Sequence, residues 1–173
     1  MKTTSLSLPI TDVTHLKAGD IVSISGTIFT ARDAAHKLMC QSILDGNPLP
    51  FDITNQAIYY AGPTATRPDT IIGSCGPTTA QRMDEFTPPL LEKGLKVIIG
   101  KGNRSKAVIA SIAKNKAVYL SCVGGAAALI SSKIIAAEPI AYPQLGCEQV
   151  LKLTVKDLPA IVSVDSNGNV FGL

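Results

Sequence analysis

One pattern in this chain constrains its fold more than any other. From residue 71 onward, an apolar β-branched run, a glycine turn and a helix opening on small or hydroxyl residues recur three times. The turns lie in IIGSCGPTTAQRM (71–83), VIIGKGNRSKAVI (97–109) and VYLSCVGGAAALI (118–130). Such alternation predicts βα units on a partly parallel sheet. If the strands are parallel, the three turns fall at their carboxyl ends along one edge, where open α/β sheets place ligands.

The flanks read differently. Residues 19–30, GDIVSISGTIFT, alternate β-branched and polar residues and predict a strand or hairpin. Ala31, Ala34, Ala35, Leu38 and Met39 then form the i, i+3, i+4, i+7, i+8 stripe of an amphipathic helix, ended by Asp45-Gly46-Asn47-Pro48. A short strand is expected over 57–61. Pro88 suits the start of a further helix ending at Gly94, Ser105 is placed to cap the next, and Gly124-Gly125 opens the last. Residues 148–155 read as strand, and Asn167-Gly168 between valines is a hairpin signal. The sum is an α/β chain with β-rich flanks, nearer to a layered β/β/α arrangement than to a plain doubly wound sheet.

Length and composition exclude several functions. The chain has 173 residues, which suits one domain over 1–173. A net charge of +3 with only 17% charged residues is not that of a polybasic nucleic-acid binder. Mean hydropathy is positive at +0.26. Yet the long uncharged stretch between Lys116 and Lys133 falls short of the ~20 residues of a membrane span, and Gly124-Gly125 divides it. The start, MKTTSLSLPITD, shows no secretory signal, so a cytoplasmic protein with no membrane partner is expected. The cysteines, at 40, 75, 122 and 147, form no CxxC pair and have no histidine at zinc-ligand spacing, so free thiols and no metal site are expected.

Three segments are suited to chemistry. In Gly73-Ser74-Cys75-Gly76-Pro77-Thr78-Thr79-Ala80-Gln81-Arg82 a shaped turn runs into a helix, whose unpaired amides and positive dipole end attract anions. On a helix, Thr78, Thr79 and Arg82 share one face, which fits a clamp for a carboxylate or phosphate. An ordinary Thr78 cap with a surface Arg82 explains the segment equally well. In Thr30-Ala31-Arg32-Asp33-Ala34-Ala35-His36, the spacing places Arg32 and His36 on the flank of the apolar stripe, at the margin of the core. A packed histidine is the commoner role there, with catalytic support the alternative. In Gly100-Lys101-Gly102 the glycines admit close approach of backbone to a ligand and the lysine supplies charge, though no Walker P-loop is present. Arg32, Arg82 and Lys101 together suit a small dicarboxylate, which needs a cationic fork at each end. No Ser-His-Asp order, metal cluster or dinucleotide fingerprint accompanies them, so the remaining chemistry must come from a partner.

The segments GTIFTARDAAHK (26–37), YYAGPT (59–64), GSCGPTTAQRMDEFTPPLLEKGL (73–95), IGKGNRS (99–105), VYLSCVGGAAAL (118–129) and DLPAIVSVDSNGN (157–169) resemble the β subunit, or carboxy-terminal domain, of the iron–sulfur class I fumarate hydratases and L(+)-tartrate dehydratases. The likeness runs from about Pro9 to the end. It implies a swivelling β/β/α domain, similar to the mobile domain of aconitase, that closes over a [4Fe-4S] cluster held by three cysteines of a separate α subunit. One iron then acts as Lewis acid on the substrate hydroxyl. It further implies that Arg32, Thr78, Thr79, Arg82 and Lys101 contact the substrate and that Thr78 removes the C3 proton. A threonine hydroxyl is a poor base, so neighbouring cations must activate it. Cys75 and Gln81 depart from many relatives, at positions with no proposed ligand role.

The expected function is that of the β subunit of a hydro-lyase interconverting fumarate and (S)-malate, a tricarboxylic acid cycle reaction, in a hetero-oligomer of α2β2 type. Tartrate to oxaloacetate is the nearest alternative, and a non-enzymatic carboxylate-binding module a further one. No residue visibly reads a second substrate hydroxyl.

Overall fold

The structure is a computed structural model that describes residues 3–122 and 127–172. Among the described residues, seven strands and four helices form a mixed α/β domain: β1 (Thr3–Leu8), β2 (Ile21–Thr30), α1 (Asp33–Leu44), β3 (Ala57–Tyr59), α2 (Thr87–Glu92), β4 (Val97–Gly100), α3 (Lys106–Lys114), β5 (Val118–Ser121), α4 (Ala127–Ser132), β6 (Ile134–Ala141) and β7 (Val150–Val164). A 3₁₀ turn occupies Ala80–Met83, and two such turns kinked at Gly146 span Pro143–Glu148.

Two long strands organise the sheet. β2 runs antiparallel to β7 from Ile21↔Ile161 to Phe29↔Lys152, and parallel to β1 from Thr3↔Ile21 to Leu8↔Gly26. Past the end of β1, Phe29 and Thr30 of β2 pair with β3, and β3, β4 and β5 continue in parallel. β5 then meets the far end of β7 at Tyr119↔Val164, so the sheet folds back on itself, while β6 pairs with the near end of β7.

The alternation of side chains across these strands builds two apolar layers. Ala57, Tyr59, Val97, Ile99, Val118 and Leu120 face inward against Leu6, Val22, Ile24, Ile28, Leu153 and Val155. Their neighbours Ile58, Ile98 and Tyr119 face the other way, against Ala35 and Met39 of α1, Leu90 and Leu91 of α2, and Val108 and Ile112 of α3. Buried on both faces, β3–β5 are predominantly apolar, and the one serine, Ser121 at the end of β5, accepts a hydrogen bond from Ser163 (2.6 Å). The result is two strand layers with helices packed outside the parallel one.

Local signals are borne out where chemistry at one or two residues sets them. α1 stops at Asp45-Gly46, and Gly94 follows the last turn of α2 at φ +99°. The Ser105 hydroxyl accepts from the Val108 amide and caps α3. Asn167 and Gly168, at φ +83°, form the tight turn that returns Val170 to bridge Val164. Of the strand or hairpin expected over 19–30, the structure has the strand. Other expectations are corrected. The apolar run opening at Ile71 is not a strand. Ser74 and Thr64 exchange amide bonds, Ser74 to the Thr64 hydroxyl and Thr64 to the Ser74 carbonyl, and pin the segment as a bend outside the sheet. The strand expected over 148–155 extends to Val164, and β1 and β6 carry no signal strong enough to expect. Gly124-Gly125 lies outside the described residues.

Candidate active site at the carboxyl edge of the parallel strands

The ends of β2, β3 and β4 converge, as parallel pairing requires. The Ala31 amide, just past β2, donates to the Tyr59 carbonyl (3.1 Å), and the Tyr60 amide, just past β3, donates to the Ile99 carbonyl (2.8 Å). Thr78 threads between them. Its amide donates to the Tyr60 carbonyl (2.7 Å), its carbonyl accepts from the Lys101 amide (3.3 Å), and the Lys101 carbonyl accepts from the Ala80 amide (2.9 Å). Thr79 and Lys101 therefore form a parallel bridge that prolongs the sheet beyond β4. Gly100 permits this crossing, because a Cβ there would stand 3.0 Å from the Tyr60 ring and 3.3 Å from the Ala80 methyl.

The structure thus brings Arg32, Thr78, Thr79 and Lys101 to one edge, with Arg82 on the adjoining turn. The local geometry differs from the helix expected at Thr78. Residues 80–83 make one 3₁₀ turn, Thr79 is its N-cap without a side-chain capping bond, and Thr78 lies in extended chain before it. The helix-face alignment of Thr78, Thr79 and Arg82 and the anion-binding first turn of a longer helix are both absent. Among the described residues neither threonine hydroxyl has a hydrogen-bond partner. Arg82 and Lys101 are exposed and, among the described residues, make no salt bridge.

Arg32 is the N-cap of α1. Its Nε stands 3.3 Å from Glu148 Oε1, with about a quarter of each side chain exposed, yet off the line of a hydrogen bond. Charge alone holds this pair. The stem passes over Gly62, where a Cβ would sit 2.9 Å from Arg32 Cδ and 3.0 Å from the Cys147 carbonyl oxygen.

His36 lies deeper than its helical position indicates. It is wholly buried rather than marginal, edge-on to Tyr60 at 5.2 Å between ring centroids. Nδ1 is 2.8 Å from the Arg32 carbonyl, which only accepts, so Nδ1 carries the proton and the buried Nε2 has no partner. Burial pushes its pKa down to about 4. The neighbouring Arg104 charge adds to this, while the bond to Arg32 and the charge of Asp33 oppose it. His36 therefore supports the backbone at Arg32 as a neutral donor.

Sequence reasoning missed a buried polar cluster behind this edge. The Arg104 guanidinium donates from Nε to Asp84 (2.8 Å) and from Nη2 to the Thr87 hydroxyl (2.7 Å) and Tyr60 hydroxyl (3.4 Å). It lies over the rings of Tyr60 and Tyr119. Burial works against its charge, and Tyr60 and Asp84 more than offset that. An arginine in a turn before a helix reads as a surface residue. Only the fold encloses it. A cleft of about 750 Å³ opens beside it, lined by Lys101, Tyr119, Ser121 and Phe171 among others.

The residues of this chain do not fit an iron–sulfur cluster. All four cysteines are free, and among the described residues no three metal-ligating side chains come together. Burial raises Cys75 and Cys122 to about 12 and Cys40 to about 11, which keeps these thiols protonated, whereas a metal binds the thiolate.

The chain is similar to known proteins over most of its length. The family model described as fumarase C-terminus matches residues 4–172, so the chain belongs to that family. It is 40% identical over 152 residues to the aerobic class I fumarate hydratase of Escherichia coli K12, and 42% identical over the same length to the anaerobic one. These alignments cover 87% of this chain but 28% of either relative, so the chain spans about a quarter of their length. A putative L(+)-tartrate dehydratase subunit beta of Methanocaldococcus jannaschii is 35% identical over 164 residues, covering 91% of this chain and 84% of that protein.

Proposed function

We propose that this chain is the β subunit of a hydro-lyase that reversibly hydrates fumarate to (S)-malate, with Arg32, Thr79, Arg82 and Lys101 binding the substrate. The observation that carries this is the lacing of Thr78-Thr79 between the ends of β3 and β4, which presents two unpartnered hydroxyls beside Lys101 at the edge where Arg32 also emerges. A carboxylate at Arg32 would compete with Glu148, whose undirected pairing makes exchange cheap. The cations hold the two carboxylates and stabilise the charge that develops as the C3 proton leaves, and Thr78 accepts that proton. His36 keeps the Arg32 backbone in place.

The [4Fe-4S] cluster belongs in this proposal to an α subunit, because the thiols here do not fit it. When bound there it supplies the Lewis acid for the substrate hydroxyl. The assembly is an α2β2 hetero-oligomer in the cytoplasm, in which residues 1–173 form one swivelling β/β/α domain of the kind seen in the mobile domain of aconitase. Four free cysteines suit a reducing compartment, and among the described residues no helix is long and apolar enough to cross a membrane. The match to a tartrate dehydratase β subunit of similar length favours a second reading, in which L(+)-tartrate is dehydrated to oxaloacetate.

Anaerobic co-expression with a cluster-bearing α subunit tests both. The complex is expected to hydrate fumarate while neither chain does so alone, and turnover by the isolated chain would overturn the subunit assignment. Relative kcat/KM for malate and L-tartrate decides the substrate. In the complex, Arg82→Met is expected to lower kcat/KM by roughly 2–4 kcal/mol equivalent.

A further inference from the structure

The two cations expected to grip opposite parts of the substrate sit on separate loops. Arg82 is on the 3₁₀ turn Ala80–Met83, and Lys101 is just past β4. Both side chains are exposed, and among the described residues neither has a salt-bridge partner that would fix it. The Thr79–Lys101 bridge joins the loops at the edge, and a second tie lies behind them. Asp84, the residue after the turn, accepts from Arg104 Nε with one oxygen (2.8 Å) and from the Ser105 amide with the other (2.7 Å). The Arg104 side chain is fully enclosed, and that of Asp84 is 13% exposed. Through Nη2 the same guanidinium reaches Thr87, in the first turn of α2, and Tyr60, which closes β3.

A buried ion pair is a costly way to gain stability, since an apolar pair of similar volume often serves as well. Its advantage is direction. A carboxylate with both oxygens committed to donors on the opposite loop fixes separation and orientation together. The bridge fixes Lys101 against Thr79, while Arg82 lies two residues before Asp84 and Lys101 three before Arg104, so the clamp sets how the far side of each loop is held. We infer that Asp84 and Arg104 are positioning residues that set the distance between Arg82 and Lys101, and with it the length of dicarboxylate the site accepts. The inference rests on the substrate-binding roles proposed above for those two cations.

The test uses the reconstituted complex with three readouts: kcat and KM for malate, thermal melting, and the inhibition constants of succinate and glutarate, which differ by one methylene. Asp84→Asn is expected to lower kcat/KM by about ten- to a hundred-fold, the scale of a displaced substrate contact, and to bring the two inhibition constants together. Arg104→Lys keeps the charge but loses the fork and is expected to do the same, which covers an Asp84→Asn complex that fails to assemble. In an Arg82→Met background, Asp84→Asn is expected to add little, because its effect runs through Arg82. A folded Asp84→Asn complex with an unchanged succinate-to-glutarate ratio overturns the inference, as does a loss of activity that only tracks a lower melting temperature. If instead Arg82→Met and Lys101→Met leave succinate inhibition untouched, the proposed site itself fails and the clamp with it.

Discussion

Acid is expected to destabilise this protein through His36. The imidazole is sealed in the core with its Nδ1 proton spent on the Arg32 carbonyl and no acceptor at Nε2. A second proton must therefore be buried unpaired, and the pKa falls from 6.5 to about 4. Between these values the unfolded chain binds a proton that the folded chain refuses. The stabilisation is complete above pH 6.5, declines as pH falls towards 4, and changes no further below that. The full difference is roughly 3 kcal/mol, and about 2 kcal/mol of it is lost between pH 7 and 4.5. That is a large share of the 5–15 kcal/mol typical of a domain. Asp12, Asp52 and Asp165 are held below the ordinary carboxylate value of 3.8, so their loss of stability falls mainly below this window. Urea unfolding of the purified chain at half-unit steps of pH measures the slope, and His36→Gln provides the reference without a titrating ring. The reasoning is refuted if stability is flat from pH 6.5 to 4.5, or if the variant shows the same slope as the parent. An imidazole resonance of His36 that titrates near 6.5 in the folded chain would refute it directly.

Two further outcomes are expected. Gly62→Ala places a Cβ 2.9 Å from Arg32 Cδ and forces the Arg32 stem to shift, so in the reconstituted complex KM should rise several-fold at nearly unchanged melting temperature; an unchanged KM would separate Arg32 from the substrate. In the native chain a thiol reagent at mild alkaline pH should modify exposed Cys147 first and half-buried Cys40 slowly, leaving Cys75 and Cys122 until unfolding. Early reaction at Cys75 would show that its enclosure is wrong.

The features legible from the chain share a physical basis, since each depends on a few neighbouring residues. The stop of α1 at Asp45-Gly46, the Ser105 cap and the Asn167-Gly168 turn are set by local backbone preference and local hydrogen bonds. The apolar runs of β4 and β5 were legible because strands buried on both faces admit a polar side chain only where it is paired, as Ser121 is with Ser163. The run at Ile71 has the same composition and is not a strand. Ser74 and Thr64 satisfy each other there, and Ile71 remains half exposed. β6, with Glu138 in its middle, gains its strand character only by pairing with β7.

The candidate site divides in the same way. The sequence by itself determined which residues stand at element boundaries: Arg32 before α1, Thr78 and Thr79 before a turn, and Lys101 between glycines after a strand. Local composition sets those boundaries, so they are readable without the fold. Only the tertiary structure decided that the parallel pairing of β2, β3 and β4 brings them to one edge and that Thr78 lies in extended chain rather than on a helix. It also decided that His36 is fully enclosed and that Asp84 and Arg104 meet behind the site. Burial and pairing across distant segments are properties of the assembled layers, and the chemistry of a histidine or an arginine changes most when water is removed from around it.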